Sequence, residues 1–212
     1  MRIGHIRECL LSNEQSVDGE NGESRRKRTG GRSARVRAQV LEAALAELGE
    51  VGFSGFNMAR IATRAGVHET TIYRRWPRKE DLVIDACMEF ADQRLPVPDT
   101  GDLATDLRIV LANIVTAMAS PQGHNMVFLG MSARSIPEFA EAGPEFWRTR
   151  LSIGQQVFDR AAERGDWPAD YDKEIIFAEL LGPLIATYFL LGKEIDDDYL
   201  DARVSQIMHL AN

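Results

Sequence analysis

The residues best equipped for chemistry fall in one run, His68 to Leu82, which reads HETTIYRRWPRKEDL. Thr70, Thr71 and Tyr73 offer hydroxyls there, Arg74, Arg75 and Lys79 offer cations, and Glu69 offers an acceptor. No Gly-rich phosphate loop, metal-spaced His/Cys set or nucleophile elbow appears in the chain. The chemistry on offer is therefore non-covalent reading. An arginine fork fits guanine O6 and N7, a glutamate accepts from cytosine N4, and a threonine methyl packs on the thymine methyl. That makes Glu69, either of Thr70 and Thr71, Arg74 and Arg75 candidates for base edges. Tyr73 and Lys79 suit phosphate, one as a hydroxyl donor and one as a point charge.

Such side chains work only if a rigid element turns them outward. Ile72 and Trp76 are four residues apart and share one face of a helix from about His68 to Trp76. Burying that face leaves the polar residues outside, where a merely solvated helix would more often carry Glu/Lys pairs. A shorter helix must precede it. Met58, Ile61, Ala62 and Ala65 fall on one side, Asn57 can cap the free N–H groups, and Gly66 can take the positive φ of a tight turn. Ahead of these, Val36, Val40, Ala44 and Leu48 recur every four residues from Ser33 onward, with Gly49 and Gly52 as the stop. Phe53 and Phe56 close the small core. Three helices with a tight turn before the last are the layout of a helix-turn-helix.

Overall charge argues the other way, because the chain of 212 residues carries a formal net charge of -7. That average conceals a split. Residues 24–80 hold 13 Lys and Arg against 5 Asp and Glu, while residues 81–212 hold 10 against 22. A basic module on an acidic body implies two jobs. Residues 1–31 are polar and end in the basic arm RRKRTGG, which reads as a disordered tail whose charges either face solvent or touch phosphate. Cys9 and Cys87 suggest neither a disulfide framework nor a metal site, and a reducing cytoplasm fits. The N-terminal apolar run is too short for a secretory signal, and Leu180 to Leu191, interrupted by Gly182 and Pro183, is too short to span a bilayer.

The run GVHETTIYRRWPRKEDL resembles the helix-turn-helix signature of the tetracycline-repressor (TetR/AcrR) family of bacterial transcription regulators. Gly66-Val67, Thr71, Ile72, Tyr73, Trp76, Lys79 and Leu82 stand at the family's spacing, and IATRAG (61–66) matches the preceding helix. The likeness is specific from about residue 33 to 85. It implies an all-α fold, with a three-helix DNA-binding domain over 32–80 and a larger helical effector-binding and dimerisation domain over 81–212. It implies DNA contacts from Thr71, Tyr73 and Lys79, with Glu69, Thr70, Arg74 and Arg75 setting sequence preference; Arg32 and Asn57 complete the candidate DNA set. His68 departs from the family's usual Ser, a better N-cap.

Beyond Pro77 the pattern predicts a helix with Leu82, Val83, Ala86 and Phe90 inward, the loop LPVPDTGD (95–102), and helices over 102–119, 124–134, 138–164, 172–191 and 197–211. Pro144 should kink or break the fourth of these. Phe90, Met118, Met126, Phe128, Met131, Trp147, Phe158, Phe177 and Tyr188 are candidates to line an apolar cavity, or else are plain core. His124, Asn125 and Arg148 are candidate polar contacts. Residues 174–191 are apolar on most sides, and a helix of that kind needs partners on most sides. Leu184, Tyr188 and Leu191, with Val204, Ile207 and Met208 of the last helix, are candidates for a four-helix interface between two copies.

The expected function is a homodimeric, ligand-responsive repressor that binds a pseudopalindromic double-stranded operator and is released by a small apolar effector. No cofactor is implied, and an enzyme is disfavoured. An activator or a co-repressor-dependent regulator of the same fold stays open, as does an RNA-binding or architectural protein.

Overall fold

The computed structural model describes residues 27–140, 142–170 and 172–209, all helix, turn or loop with no strand among them. The expected tail up to residue 26, Cys9 and the end of the expected last helix at 210–211 lie outside the described residues. Residues up to Arg37 form one unit and Ala38–Asn212 another.

The first helix, α1, spans Lys27–Val51. It begins six residues before Ser33, so the basic residues Lys27 and Arg28 are helical where a disordered tail was expected. Val40, Leu41, Ala44 and Leu48 are fully buried, as the four-residue period predicts. α2 is Met58–Ala65 and α3 is Glu69–Arg75. Asn57 caps α2 through Oδ1, which accepts the N–H groups of Ala59 and Arg60 at 2.9 and 3.1 Å. Gly66 ends it at φ 66°, where any other residue is strained. The Val67 N–H then returns to the Ala62 carbonyl at 3.0 Å.

α4, Lys79–Arg94, leads into the body and buries Leu82, Val83, Ala86, Cys87 and Phe90. Burial pushes the Cys87 thiol up to about 12, so it stays protonated and inert. The body continues with α5 (Leu103–Ala119), α6 (Pro121–Ser132), α7 (Ala142–Gly154), α8 (Gln156–Arg164), α9 (Lys173–Ile185) and α10 (Asp197–His209). Two boundaries differ from the sequence reading, both at prolines. Pro121 opens α6 instead of only ending α5, because a proline in a first turn forfeits an N–H that has no helical partner anyway. Ser120 caps the same end by accepting the Gly123 N–H. Pro144 likewise sits in the first turn of α7, which starts at Ala142 after a 3-10 turn at Pro137–Phe139, and the expected 138–164 helix divides again at Gln155.

Pro183, by contrast, lies inside α9, which passes into a π-helical turn at Ala186–Leu190. Lacking an N–H, Pro183 leaves the Glu179 carbonyl without its helical donor. The guanidinium of Arg203 on α10 supplies one at 2.7 Å. Arg108 on α5 ties the other end of α10 through Asp197 and Asp201, at 2.5 and 2.6 Å. Between these helices lies a core that includes Leu107, Leu111, Phe158, Leu180, Leu184 and Ile207. No single helix among the described residues is long and apolar enough to cross a membrane.

Candidate functional site

α3 is held from beneath. Ile72 is fully buried and Trp76 is 4% exposed, as their spacing predicts. The Trp76 indole donates to the Asp85 carboxylate on α4 at 2.9 Å, so α3 is fastened to the helix that follows it. With that face down, Glu69, Thr70, Tyr73, Arg74 and Arg75 are exposed and Thr71 is half-buried. The surface therefore offers hydroxyls and forked cations on a rigid support, the donors that base edges and phosphates accept.

The remaining expected contacts are placed less uniformly. The Lys79 ammonium lies 4.2 Å from the centre of the Phe53 ring, which fixes the lysine at the start of α4. Arg75 lies 5.4 Å from the Trp76 ring centre. Asn57 is exposed but its carbonyl oxygen is committed to capping. Arg32 is exposed on α1, in the preceding unit. His68 stands at the N-cap of α3 and makes no side-chain cap bond, consistent with its being a poorer cap than Ser.

Sequence reasoning missed what holds α2 in place. Glu47 on α1 is fully buried and pairs with Arg60 at 3.2 Å and Arg64 at 3.9 Å. Arg64 also forks onto Glu50 at 2.8 and 2.7 Å. The Arg64 hydrogen bonds, with the charges of Arg64 and Arg60, hold the Glu50 carboxyl below the usual range. The two arginines of α2 are thus structural ties, whereas Arg74 and Arg75 of α3 are exposed with no ion pair among the described residues. The signal was present as Glu47 and Glu50 against Arg60 and Arg64, but pairs so far apart in sequence cannot be assigned before the crossing of the helices is known.

A cavity lies in the body, enclosed by α5, α6, α7, α9 and the connector at Leu95–Val97, with about 800 Å³ of empty space including its mouth. Met118, Met126, Trp147 and Phe177 line it, as expected of them. Gly130 makes room for the Trp147 indole, since a Cβ at Gly130 would meet that ring at 2.3–2.5 Å. The other candidates are corrected. Phe90 and Phe158 are buried away from the cavity, Tyr188 does not reach it, and Phe128 and Met131 are exposed on the outer face of α6. None of the three polar candidates lines it either. His124 is exposed and stacks on Phe189, Asn125 donates to the carbonyls of Gly49 and Pro121, and Arg148 pairs with Glu145. The polar side chains on the wall are Asn113 and Arg150, with the indole of Trp147.

The expected interface residues differ in how deeply the single chain buries them. Leu184, Val204 and Ile207 are spent on the chain's own core, where α9 and α10 pack on α5. Met208 packs against that core too, and Tyr188 is half-buried. Of the six, Leu191 is exposed, together with its neighbour Leu190.

Comparison with known proteins adds to this geometry. The family model described as "Bacterial regulatory proteins, tetR family" matches residues 40–86, which include all of α2 and α3. The model described as "Tetracyclin repressor-like, C-terminal domain" matches residues 97–207, just over half of the chain. The chain belongs to the TetR family. Among TetR-family relatives, it is 30% identical to the HTH-type transcriptional regulator AqdR of Rhodococcus erythropolis over 84% of this chain and 86% of that one. It is 28% identical to the DNA-binding transcriptional repressor TetR of Mycobacteroides abscessus, over 81% and 90%. The crystal structure of the TetR family transcription regulator SCO0332 superposes with a TM-score of 0.71 at 27% identity, covering 82% of this chain and 97% of that one. This TetR-family chain is a DNA-binding transcriptional regulator with a helix-turn-helix. Regulators of this family are not normally enzymes.

Proposed function

We propose that the protein is a ligand-responsive repressor that binds a pseudopalindromic operator as a homodimer, with residues 32–80 as the reading module and 81–212 as the body. The observation that carries the reading is the outward face of α3, anchored by Ile72 and Trp76 and presenting Glu69, Thr70, Thr71, Tyr73, Arg74 and Arg75. Tyr73, Thr71 and Lys79 serve phosphate; Glu69, Thr70, Arg74 and Arg75 serve base edges. Asn57 and Arg32 are separate candidates for the backbone. The body supports the regulatory half of the reading, because the cavity is walled by apolar residues and shares Leu95 and Val97 with the connector leaving α4. A small apolar effector seated there shifts α4, and with it α3, and lowers operator affinity.

Dimerisation fits the exposed apolar side chains. Leu190 and Leu191 are 76% and 62% exposed, and Phe128 and Met131 on α6 are 58% and 49% exposed. Side chains of this size left in water favour a partner surface. A dimer suits two half-sites about 34–36 Å apart, one turn of DNA. The name of the Mycobacteroides relative supports repression over activation.

The test is operator binding by the purified chain, with transcription measured from a promoter carrying that operator. Lower transcription on binding supports the proposal. Higher transcription, or binding that appears only with added ligand, would replace it with an activator or a co-repressor-dependent regulator.

A further inference from the structure

The cavity wall carries one feature that an entirely apolar effector would waste. Arg150, on α7, is the one charged residue among the described residues that line it. Its side chain is 9% exposed, and burial lowers the pKa of the guanidinium, a group that stays charged in proteins. Nη1 donates to the Asp92 carboxylate at 2.8 Å. Among the described residues Asp92 is its one charged partner, and that aspartate is 62% exposed on α4. A guanidinium has five donors in a fixed fork, so a single bond to one carboxylate oxygen leaves most of them unspent. The other polar side chains on the wall are the Asn113 amide and the Trp147 indole, which is a donor only.

Resting on the reading of the cavity as the effector site, we propose that its ligand is an amphipathic carboxylate whose head group binds Arg150 in exchange for Asp92. The apolar walls take the ligand's body. The head is an anion because a neutral acceptor, once it displaced Asp92, would leave the guanidinium charge buried without a counter-charge. A cationic head is repelled by the same group. The exchange also has a consequence outside the cavity. Asp92 belongs to α4, which Asp85 fastens to Trp76 of the reading module. Taking Arg150 away from Asp92 removes a charged tie between α7 and α4. That pair gives ligand binding a charged link to the position of α3, beside the Leu95–Val97 connector.

The experiment is calorimetric titration of the full chain at neutral pH with decanoate, decan-1-ol and decyltrimethylammonium, each below its micelle concentration. Decanoate is expected to bind on the order of tenfold more tightly than decan-1-ol, the value of a charge-assisted hydrogen bond, and the ammonium more weakly than either. Arg150→Gln should bring decanoate to the affinity of the alcohol while leaving the alcohol unchanged. Asp92→Asn removes the competitor and leaves Arg150 in place, so it should tighten decanoate several-fold and leave the alcohol alone. This second variant decides the matter if Arg150→Gln fails to fold. Equal binding of decanoate and decan-1-ol to the native chain overturns the carboxylate head while sparing the cavity. Unchanged decanoate affinity in Asp92→Asn overturns the exchange. If none of the three binds, the cavity reading falls and the proposal falls with it.

Discussion

The outward face of α3 and the cavity in the body are built on opposite plans. α3 is seven residues long, gains its rigidity from two buried side chains, and turns its polar groups to solvent. The cavity draws its wall from four helices and a connector, hides a single guanidinium, and turns its apolar groups inward. A surface that must meet a charged polymer in water needs its donors displayed, whereas a site that must extract a small molecule from water needs its apolar area enclosed. Both depend on α4, which holds Asp85 for Trp76 and Asp92 for Arg150.

The largest expected effect breaks the support on the reading side. Trp76→Ala removes a side chain that is 4% exposed and an indole bonded to Asp85, at a cost of about 3–5 kcal/mol of stability by urea unfolding. Decanoate binding by the molecules that remain folded should survive; a loss of less than about 1 kcal/mol would show that α3 is not held by this anchor.

Arg75→Ala sharpens the comparison without touching the support. It should relax sequence preference at one position per half-site, at about 1–3 kcal/mol of operator affinity, read by gel shift on a panel of variant sites. An unchanged preference with weaker binding to every sequence would move Arg75 from bases to phosphate.

The same contrast explains what could be read from sequence. α3 was legible because its logic is local. Ile72 and Trp76 set the phase, Gly66 and Asn57 mark the turn and the cap, and all fall within twenty residues. The cavity was legible only in part. Met118, Met126, Trp147 and Phe177 were found by residue type, but Phe128 and Met131 are of the same types and lie outside. Type and period tell which face of a helix is apolar; they do not tell which neighbour that face meets. The polar wall shows the same limit. Arg148 and Arg150 are two residues apart, so they point to different sides of α7, and only the packing of α7 on α4 decides which is enclosed. Leu184, Val204 and Ile207 pack in the chain's own core, which their pattern could not announce, since an apolar stripe does not say whether its partner is the same chain or another.

Smaller effects test the scaffold beneath the reading face. Asn57→Ala leaves the Ala59 and Arg60 N–H groups without their acceptor and should cost about 1 kcal/mol. If Asn57 also meets the DNA backbone, Asn57→Gly will lose operator affinity as well, although glycine costs the cap only a few tenths.

The smallest is a pH effect at the α1–α2 tie. The folded pKa of Glu50 is depressed, chiefly by its hydrogen bonds to Arg64. Its contribution to stability is therefore full above the ordinary carboxylate range and is lost as pH falls through the depressed value. The difference between native chain and Glu50→Gln in thermal unfolding should shrink as the buffer is made acidic. A difference that stays constant would mean that the Arg64–Glu50 pair contributes nothing.

The most direct test of the account is selection of bound sites from random double-stranded DNA by the full chain. The account predicts enrichment of an inverted repeat with half-sites about one helical turn apart, centre to centre, and loss of that enrichment at one base per half-site in Arg75→Ala. Enrichment of a single unrepeated site, or none above background, would contradict it.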